Sequence, residues 1–121
     1  MTDAIYPDLK NASVFITGGG SGIGANLTEG FLRQGARVAF VGRSDASAFV
    51  DKMEAETGNR PLFLQCDITD IQKLNQRVAE DTAAHGPITN HVNNAANDER
   101  HETLNVTEDF WDWMMAINLK A

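Results

Sequence analysis

Residues 17–24 of the chain, Thr-Gly-Gly-Gly-Ser-Gly-Ile-Gly, combine glycines and small polar side chains between a short apolar run and a helical pattern. A glycine turn in this context presents unpaired backbone N–H groups and the positive end of the helix dipole to an anion. Gly18 is expected to allow the sharp turn, Gly22 the close approach of phosphate oxygens, and Gly24 the packing of the helix on the sheet. The stretch predicts a site for the pyrophosphate of a dinucleotide, and a plain strand-to-helix turn is the alternative interpretation.

A second candidate for anion binding follows the next apolar run, where Gly42, Arg43 and Ser44 come in succession. In a dinucleotide site this position meets the adenosine ribose, where an acidic side chain binds the ribose hydroxyls. Gly42 offers no carboxylate, and the fork of donors on Arg43 suits a phosphate. We therefore predict NADP as the preferred cofactor, with NAD as the alternative. Asp45 is a signal in the opposite direction, and a solvated surface role for Arg43 is the other interpretation.

Hydrophobic spacing predicts the elements that must position these residues. Short apolar runs predict four strands, at residues 13–17, 37–41, 62–66 and 88–92. Helical spacing predicts four helices, at residues 22–34, 46–56 and 70–85 and after Thr107 as its cap. The alternating order requires right-handed crossovers and a parallel sheet with helices on both faces. The predicted fold class is therefore α/β, with a Rossmann-type sheet.

Two finer predictions concern single helices. Helical spacing places Ile23, Leu27, Phe31 and Leu32 on one face of the first helix, and Ile71, Leu74, Val78 and Ala79 on the inner side of the third. Thr69, with Gln72 three residues later, is expected to form the capping box at the start of the third helix.

Composition narrows the classes of function. With a net charge of −7 and a pI near 4.7, the chain of 121 residues is not expected to bind nucleic acid or an anionic membrane. Its single cysteine, Cys66, excludes an internal disulfide, and its apolar neighbours favour a buried, unreactive thiol. The three histidines match no metal-ligand spacing, so no metal site is predicted. Neither a signal peptide nor a membrane-spanning segment is recognised, which indicates a cytoplasmic protein.

Four motifs in register resemble the short-chain dehydrogenase/reductase family over the whole chain. They are the glycine loop, Asp67 after the third strand, residues 93–96 (Asn-Asn-Ala-Ala) after the fourth, and Asn118. A narrower likeness, through residues 4–7, the glycine loop and residues 94–101, is to sugar 1-dehydrogenases of the D-xylose 1-dehydrogenase type. The resemblance implies hydride transfer between a nicotinamide cofactor and a small-molecule carbonyl or alcohol, such as an aldose. It also implies a homo-oligomer, either a dimer or a tetramer.

The resemblance further implies roles for single residues. Asp67 would accept a hydrogen bond from the adenine amino group and Ile68 would pack on the ring, with a plain turn aspartate as the alternative. Ala96 stands where the family usually has glycine. The implied cofactor-binding residues are Gly18, Ser21, Gly22, Ile23, Gly24, Arg43, Asp67, Ile68, Asn94, Ala95 and Ala96.

Asn118 is the catalytic residue that the resemblance implies, because its main chain would hold a water of the proton relay; a surface asparagine is the alternative. The family's catalytic serine and Tyr-x-x-x-Lys motif are expected after residue 121, since the only tyrosine, Tyr6, lies in the leader. Residues 1–121 stop within a helical pattern and are expected to be one dinucleotide-binding domain, truncated from a longer enzyme and inactive alone. A non-catalytic dinucleotide-binding sensor or interaction module is the alternative, and a degenerate remnant is a third hypothesis.

Overall fold

The computed structural model describes residues 4–96 and 103–120, so residues 97–101 of the sugar-dehydrogenase likeness lie outside the described residues. The strands are β1 (Ser13–Thr17), β2 (Arg37–Gly42), β3 (Leu62–Gln65) and β4 (Asn90–Val92). The helices are α1 (Gly22–Arg33), α2 (Ser47–Thr57), α3 (Ile71–His85) and α4 (Glu108–Met115), which continues as a π-helix over Ala116–Lys120. All strands pair in parallel in one sheet of order β3-β2-β1-β4. The predicted α/β class with four strands and four helices is confirmed.

The centre of the sheet is covered on both faces. Side chains of a strand alternate between the two faces, and Val14, Ile16 and Phe40 pack with residues of α1 and α2 on one of them. Phe15 and Val41 pack on the other face, with residues of α3 beside them. The middle residues of β1 and β2 are therefore apolar without interruption, as expected for a parallel sheet between two layers of helices.

β4 and α4 are much less buried than this centre. β4 has three residues, of which Asn90 and His91 are exposed, and its ladder with β1 begins at residue 90 instead of the predicted 88. No residue of α4 is buried, although Ile117 in the following π-helix packs against the sheet. Among the described residues, every helix is too short or too polar to span a bilayer.

The predicted capping box of α3 is wrong. Asp70 is the N-cap, and its carboxylate accepts a hydrogen bond from the backbone N–H of Lys73 at 3.1 Å. The hydroxyl of Thr69 donates instead to the carboxylate of Asp67 at 2.7 Å, which removes it from the helix end. Because Thr69 is bonded to Asp67, Asp70 is the residue that caps α3.

The inward placement of Ile23 and Ile71 is also wrong, since their exposed fractions are 74% and 53%. Both residues lie in the first turn of their helices. The rest of the predicted face of α1 does pack against the core, namely Leu27, Phe31 and Leu32. On α3, Leu74 and Val78 also pack against the core, whereas Ala79 is exposed. The fully buried residues of α1 are Gly24, Thr28 and Leu32, spaced four residues apart.

Candidate functional site

A cleft of about 870 Å³ opens at the carboxyl ends of the strands, beside the start of α1. In open parallel sheets this edge is where ligands bind. The cleft brings together most of the residues predicted from the sequence to bind a cofactor. Its walls include Gly18, Ser21, Gly22, Ile23, Arg43, Asp67, Ile68, Asn94, Ala95 and Ala96.

Glycine is present at three positions of the loop for different structural reasons. Gly18 has φ +69°, and its N–H donates to the carbonyl of Val41 at 2.8 Å, so the chain turns sharply off β1. Gly22 has φ +54°, and a Cβ there would meet nothing within 4 Å, so the backbone is open to an approaching ligand. Gly24 does not line the cleft, and a Cβ there would overlap the carbonyl oxygen of Gly18. Gly24 therefore lets α1 touch the loop.

Gly19 and Thr28 hold the loop against the sheet and α1, and the sequence did not predict this role for either residue. A Cβ on Gly19 would lie 2.5 Å from the Cβ of Phe40. The hydroxyl of Thr28, which is fully buried, donates to the carbonyl of Gly19 at 2.9 Å. The available signal was the spacing of Thr28 four residues after Gly24, which puts a polar group on the inward face of α1.

The N-terminus of α1 lacks the side-chain cap that α3 and α4 have. Ser21 is its N-cap residue, but its side chain makes no capping hydrogen bond. Asp70 caps α3, and Thr107 caps α4 as predicted, by accepting from the N–H of Phe110 at 3.1 Å. The first N–H groups of α1 are thus left for an anion in the cleft, where the helix dipole also favours negative charge.

Thr17 joins the glycine loop to the segment after β4. Its hydroxyl oxygen accepts from the N–H groups of Asn94 and Ala95, each at 3.0 Å. The side-chain amide of Asn94 in turn donates to the carbonyl of Gly18 at 3.1 Å. Asn94 therefore bridges two loops, and Thr17 is a positioning residue that sequence reasoning did not identify.

Arg43 is an exposed residue of the cleft wall. Within residues 4–96 and 103–120, its guanidinium makes no hydrogen bond or ion pair. The other described arginines all do, namely Arg33, Arg37, Arg60 and Arg77. A guanidinium that makes no hydrogen bond to the described residues keeps its donors for an anionic ligand in the cleft.

The carboxylates near Arg43 are held by their own loops. Asp67 accepts from the N–H and the hydroxyl of Thr69, at 3.0 and 2.7 Å. These bonds, together with the charge of Arg43, hold the pKa of Asp67 below its ordinary value. Asp45 accepts from the hydroxyl and the N–H of Ser47, at 2.6 and 3.1 Å, and these bonds likewise lower its pKa. One oxygen of Asp45 is therefore committed to the start of α2.

Cys66 is 1% exposed, which confirms the predicted burial of the thiol. Burial raises the pKa of Cys66, and a thiol that stays protonated is a poor nucleophile. Within the described part of the chain, no three His, Cys, Asp or Glu side chains are grouped as metal ligands.

Asn118 does not line the cleft, although its neighbour Ile117 does. It lies in the π-helix Ala116–Lys120, and such local disturbances of a helix are frequent at functional sites. The catalytic role of Asn118 stays a prediction.

Tyr6 and Lys10 are four positions apart, so the family's tyrosine–lysine spacing is present in the leader. Their place in the fold separates them from the cleft. The N–H of Tyr6 donates to Gln34 at 2.8 Å, and Lys10 lies beside Gly35. Both contacts are at the C-terminal end of α1, whereas the cleft is at the N-terminal end, about 18 Å away for a helix of 12 residues.

Comparison with known proteins agrees with this geometry. A sequence profile of the family described as short chain dehydrogenase matches residues 12–121. The chain is 44% identical over 117 residues to "Probable galactose dehydrogenase GalD" of Rhizobium meliloti, covering 95% of this chain and 46% of that protein. It is 42% identical over 123 residues to D-xylose 1-dehydrogenase of Caulobacter vibrioides, covering 99% and 47%.

A solved structure, NADH-dependent reductase A1-R' complexed with NAD, matches with a TM-score of 0.84 at 27% identity, over 94% of this chain and 48% of that one. The chain therefore spans about half the length of the relatives that it matches.

Proposed function

The chain belongs to the short chain dehydrogenase family, and we propose that it is the cofactor-binding part of an NAD(P)-dependent oxidoreductase. The observation that carries the proposal is the open glycine loop at the uncapped N-terminus of α1. A bound nicotinamide dinucleotide would supply the hydride acceptor or donor. The loop and the first N–H groups of α1 would hold its pyrophosphate, and Asp67, Ile68 and the segment from Asn94 to Ala96 would orient its two ends.

The proposed substrate is an aldose, oxidised at its anomeric carbon, because two relatives are named as a galactose and a D-xylose dehydrogenase. Asn118 would hold a water of the proton relay, and the catalytic serine, tyrosine and lysine would lie outside residues 1–121. We propose that this chain alone is inactive. Mixed with D-xylose or D-galactose and either oxidised cofactor, it should form no reduced nicotinamide, whereas the product of the whole reading frame should. Equal turnover by both would contradict this division.

NADP is the cofactor that Arg43 favours. Its guanidinium makes no hydrogen bond or ion pair with the described residues, and Gly42 puts no carboxylate at the end of β2. Support for NAD comes from the matched reductase, which is complexed with NAD. We propose that a 2′-phosphate on the adenosine ribose would bind beside Arg43, because arginine offers several donors to phosphate oxygens.

Gly42→Asp and Arg43→Gln test this choice in calorimetric titrations with NADPH and NADH. A Cβ at Gly42 would meet only Phe63, at an ordinary 3.9 Å, so the fold should accept aspartate. Each variant should lower the affinity for NADPH about 10-fold or more, the size expected for a lost charge-assisted contact. The affinity for NADH should be unchanged in Arg43→Gln and increased in Gly42→Asp.

Arg33→Gln is the matched control, because Arg33 pairs with Glu29 near the far end of α1. It should leave both affinities unchanged. A wild-type chain that binds NADH more tightly than NADPH would overturn the cofactor preference, and binding of neither would overturn the proposed site. The proposal also includes a cytoplasmic homo-oligomer, a dimer or tetramer, that binds neither nucleic acid nor membrane.

A further inference from the structure

The backbone of Arg43 is fixed by the side chain of a neighbouring strand. Gln65 ends β3 and lies opposite Gly42 in the parallel ladder. Its side-chain amide Nε2 donates to the carbonyl oxygen of Arg43 at 2.8 Å. The strand end itself is held from α3, because Nε of Arg77 donates to the carbonyl of Gln65 at 3.0 Å. Arg43 is thus connected through Gln65 to α3.

The segment around Arg43 is also fixed on both sides along the chain. The carbonyl of Gly42 accepts from the N–H of Cys66 at 2.9 Å, which continues the β2–β3 pairing to its last residue. On the other side, the carboxylate of Asp45 is bonded to Ser47 at the start of α2. Gln65 supplies the bond between these two anchors, at the residue whose side chain faces the cleft. Gln65 therefore adds a direct bond to an Arg43 backbone that is already held on both sides along the chain.

We propose that Gln65 is a positioning residue that sets discrimination between dinucleotides with and without a 2′-phosphate, by holding Arg43 at the cleft wall. The inference rests on the proposed function, in which Arg43 contacts that phosphate. A neutral amide suits the role for two reasons. It has an N–H to donate to the Arg43 carbonyl, and it adds no negative charge that would repel a phosphate or pair with the guanidinium.

Gln65→Met is the variant that isolates the donor, because methionine keeps the length of the side chain and cannot donate to a carbonyl. Loss of one exposed hydrogen bond should lower the affinity for NADPH about three- to tenfold. The affinity for NADH should change less than twofold, because no 2′-phosphate depends on Arg43. Gln65→Glu should lower the affinity for NADPH further, since it adds a carboxylate beside Arg43.

Asn59→Leu is the matched control, since its side-chain amide also donates to a backbone carbonyl, that of Leu32 at 3.0 Å, away from the cleft. It should leave the ratio of the two affinities unchanged. A double variant shows whether Gln65 acts by positioning Arg43 or by stabilising the fold as a whole. With Arg43→Gln already present, Gln65→Met should have no further effect on the affinity for NADPH.

Calorimetric titration of the 121-residue chain and these variants with NADPH and NADH is the test. A selective loss of NADPH affinity that disappears in the Arg43→Gln background supports the inference. Equal losses for both cofactors, or no loss in Gln65→Met while Arg43→Gln weakens NADPH, overturn it and leave the proposed function standing. A wild-type chain that binds neither cofactor overturns the proposed function and this inference together.

Discussion

The parts of the molecule on the two sides of the central strand β1 differ in how deeply their residues are buried. On the β2 side, residues 38–41 are fully buried between α1, α2 and α3. On the β4 side, the strand has three residues, α4 has no buried residue, and Trp111 is 57% exposed. Arg43 lies on the first side. The glycine loop is bonded to both sides, through Val41 of β2 and through Asn94 after β4. The residue proposed to hold the 2′-phosphate is therefore on the more densely packed side, and the loop proposed to hold the pyrophosphate joins the two sides.

The sequences of the two sides explain this difference. β2 contains four successive apolar residues, which suits a strand covered on both faces. β4 is Asn-His-Val, in which Val92 packs against the core and the exposed His91 contacts the ring of Phe15. Dense packing on the β2 side holds Arg43 and the adjoining end of the glycine loop in place before a ligand binds. Such preorganisation lowers the entropy cost of binding.

The largest expected contrast comes from one aromatic residue on each side. Phe40→Ala should lower the free energy of unfolding by about 3 to 5 kcal/mol, because it empties a buried site in contact with two further phenylalanine rings. Trp111→Ala should change it by no more than about 0.5 kcal/mol, because the side chain is exposed. Chemical denaturation followed by circular dichroism measures both. Equal losses would remove the distinction between the two sides.

Gly24→Ala should give the next largest effect, a destabilisation of about 3 kcal/mol, because the added methyl overlaps the carbonyl of Gly18. Gly30→Ala on the same helix is the control, since a Cβ there meets nothing within 4 Å. It should stabilise the chain by about 0.5 to 1 kcal/mol through helix propensity. Thermal unfolding of the two variants checks this, and similar melting temperatures would show that α1 does not touch the loop as described.

The smallest expected effect is on how the stability of the fold depends on pH. It comes from Asp81, the one buried carboxylate of the described core. Asp81 is fully buried, and Oδ1 lies 2.9 Å from Nδ1 of His85. Burial raises its pKa above the ordinary 3.8, although the charges of His85 and Arg37 oppose the shift. A raised pKa means that folding favours the protonated acid, so this contribution to stability is present below pH 3.8 and is lost as the pH rises through the folded pKa.

Asp81→Asn should therefore gain stability relative to the wild type as the pH rises from about 3.8 towards neutrality. Urea denaturation at a series of pH values measures the difference. Glu80→Gln is the control on the same helix, because Glu80 is half exposed and pairs with Arg77 at the surface. A difference between wild type and Asp81→Asn that does not vary with pH would mean that Asp81 has an ordinary pKa.

Local sequence patterns predicted the elements well where each element is decided by its own residues. The apolar runs of β1 and β2, the glycine loop and the Thr107 cap are of this kind. Contacts between distant residues could not be predicted in the same way. Thr17 meets Asn94, and Gln65 meets Arg43, only after the sheet forms.

The α3 cap shows the limit of local prediction. Thr69 and Asp70 are both good N-cap residues, and a hydrogen bond to Asp67 removed one of them. The first turn of α1 shows the same limit, because Gly24 lies against the carbonyl of Gly18 and Ile23 lines the cleft, and both placements depend on the folded loop.

Amide hydrogen exchange of this chain, with and without NADPH, tests the central claim most directly. We expect slower exchange for the N–H groups of residues 18–25 and of Asp67 and Ile68, where the dinucleotide is proposed to bind. Exchange over residues 51–60, on the outer part of α2 and beyond, should not change. If protection is confined to residues outside the cleft, or is absent from the glycine loop when NADPH is saturating, the dinucleotide does not bind where we propose.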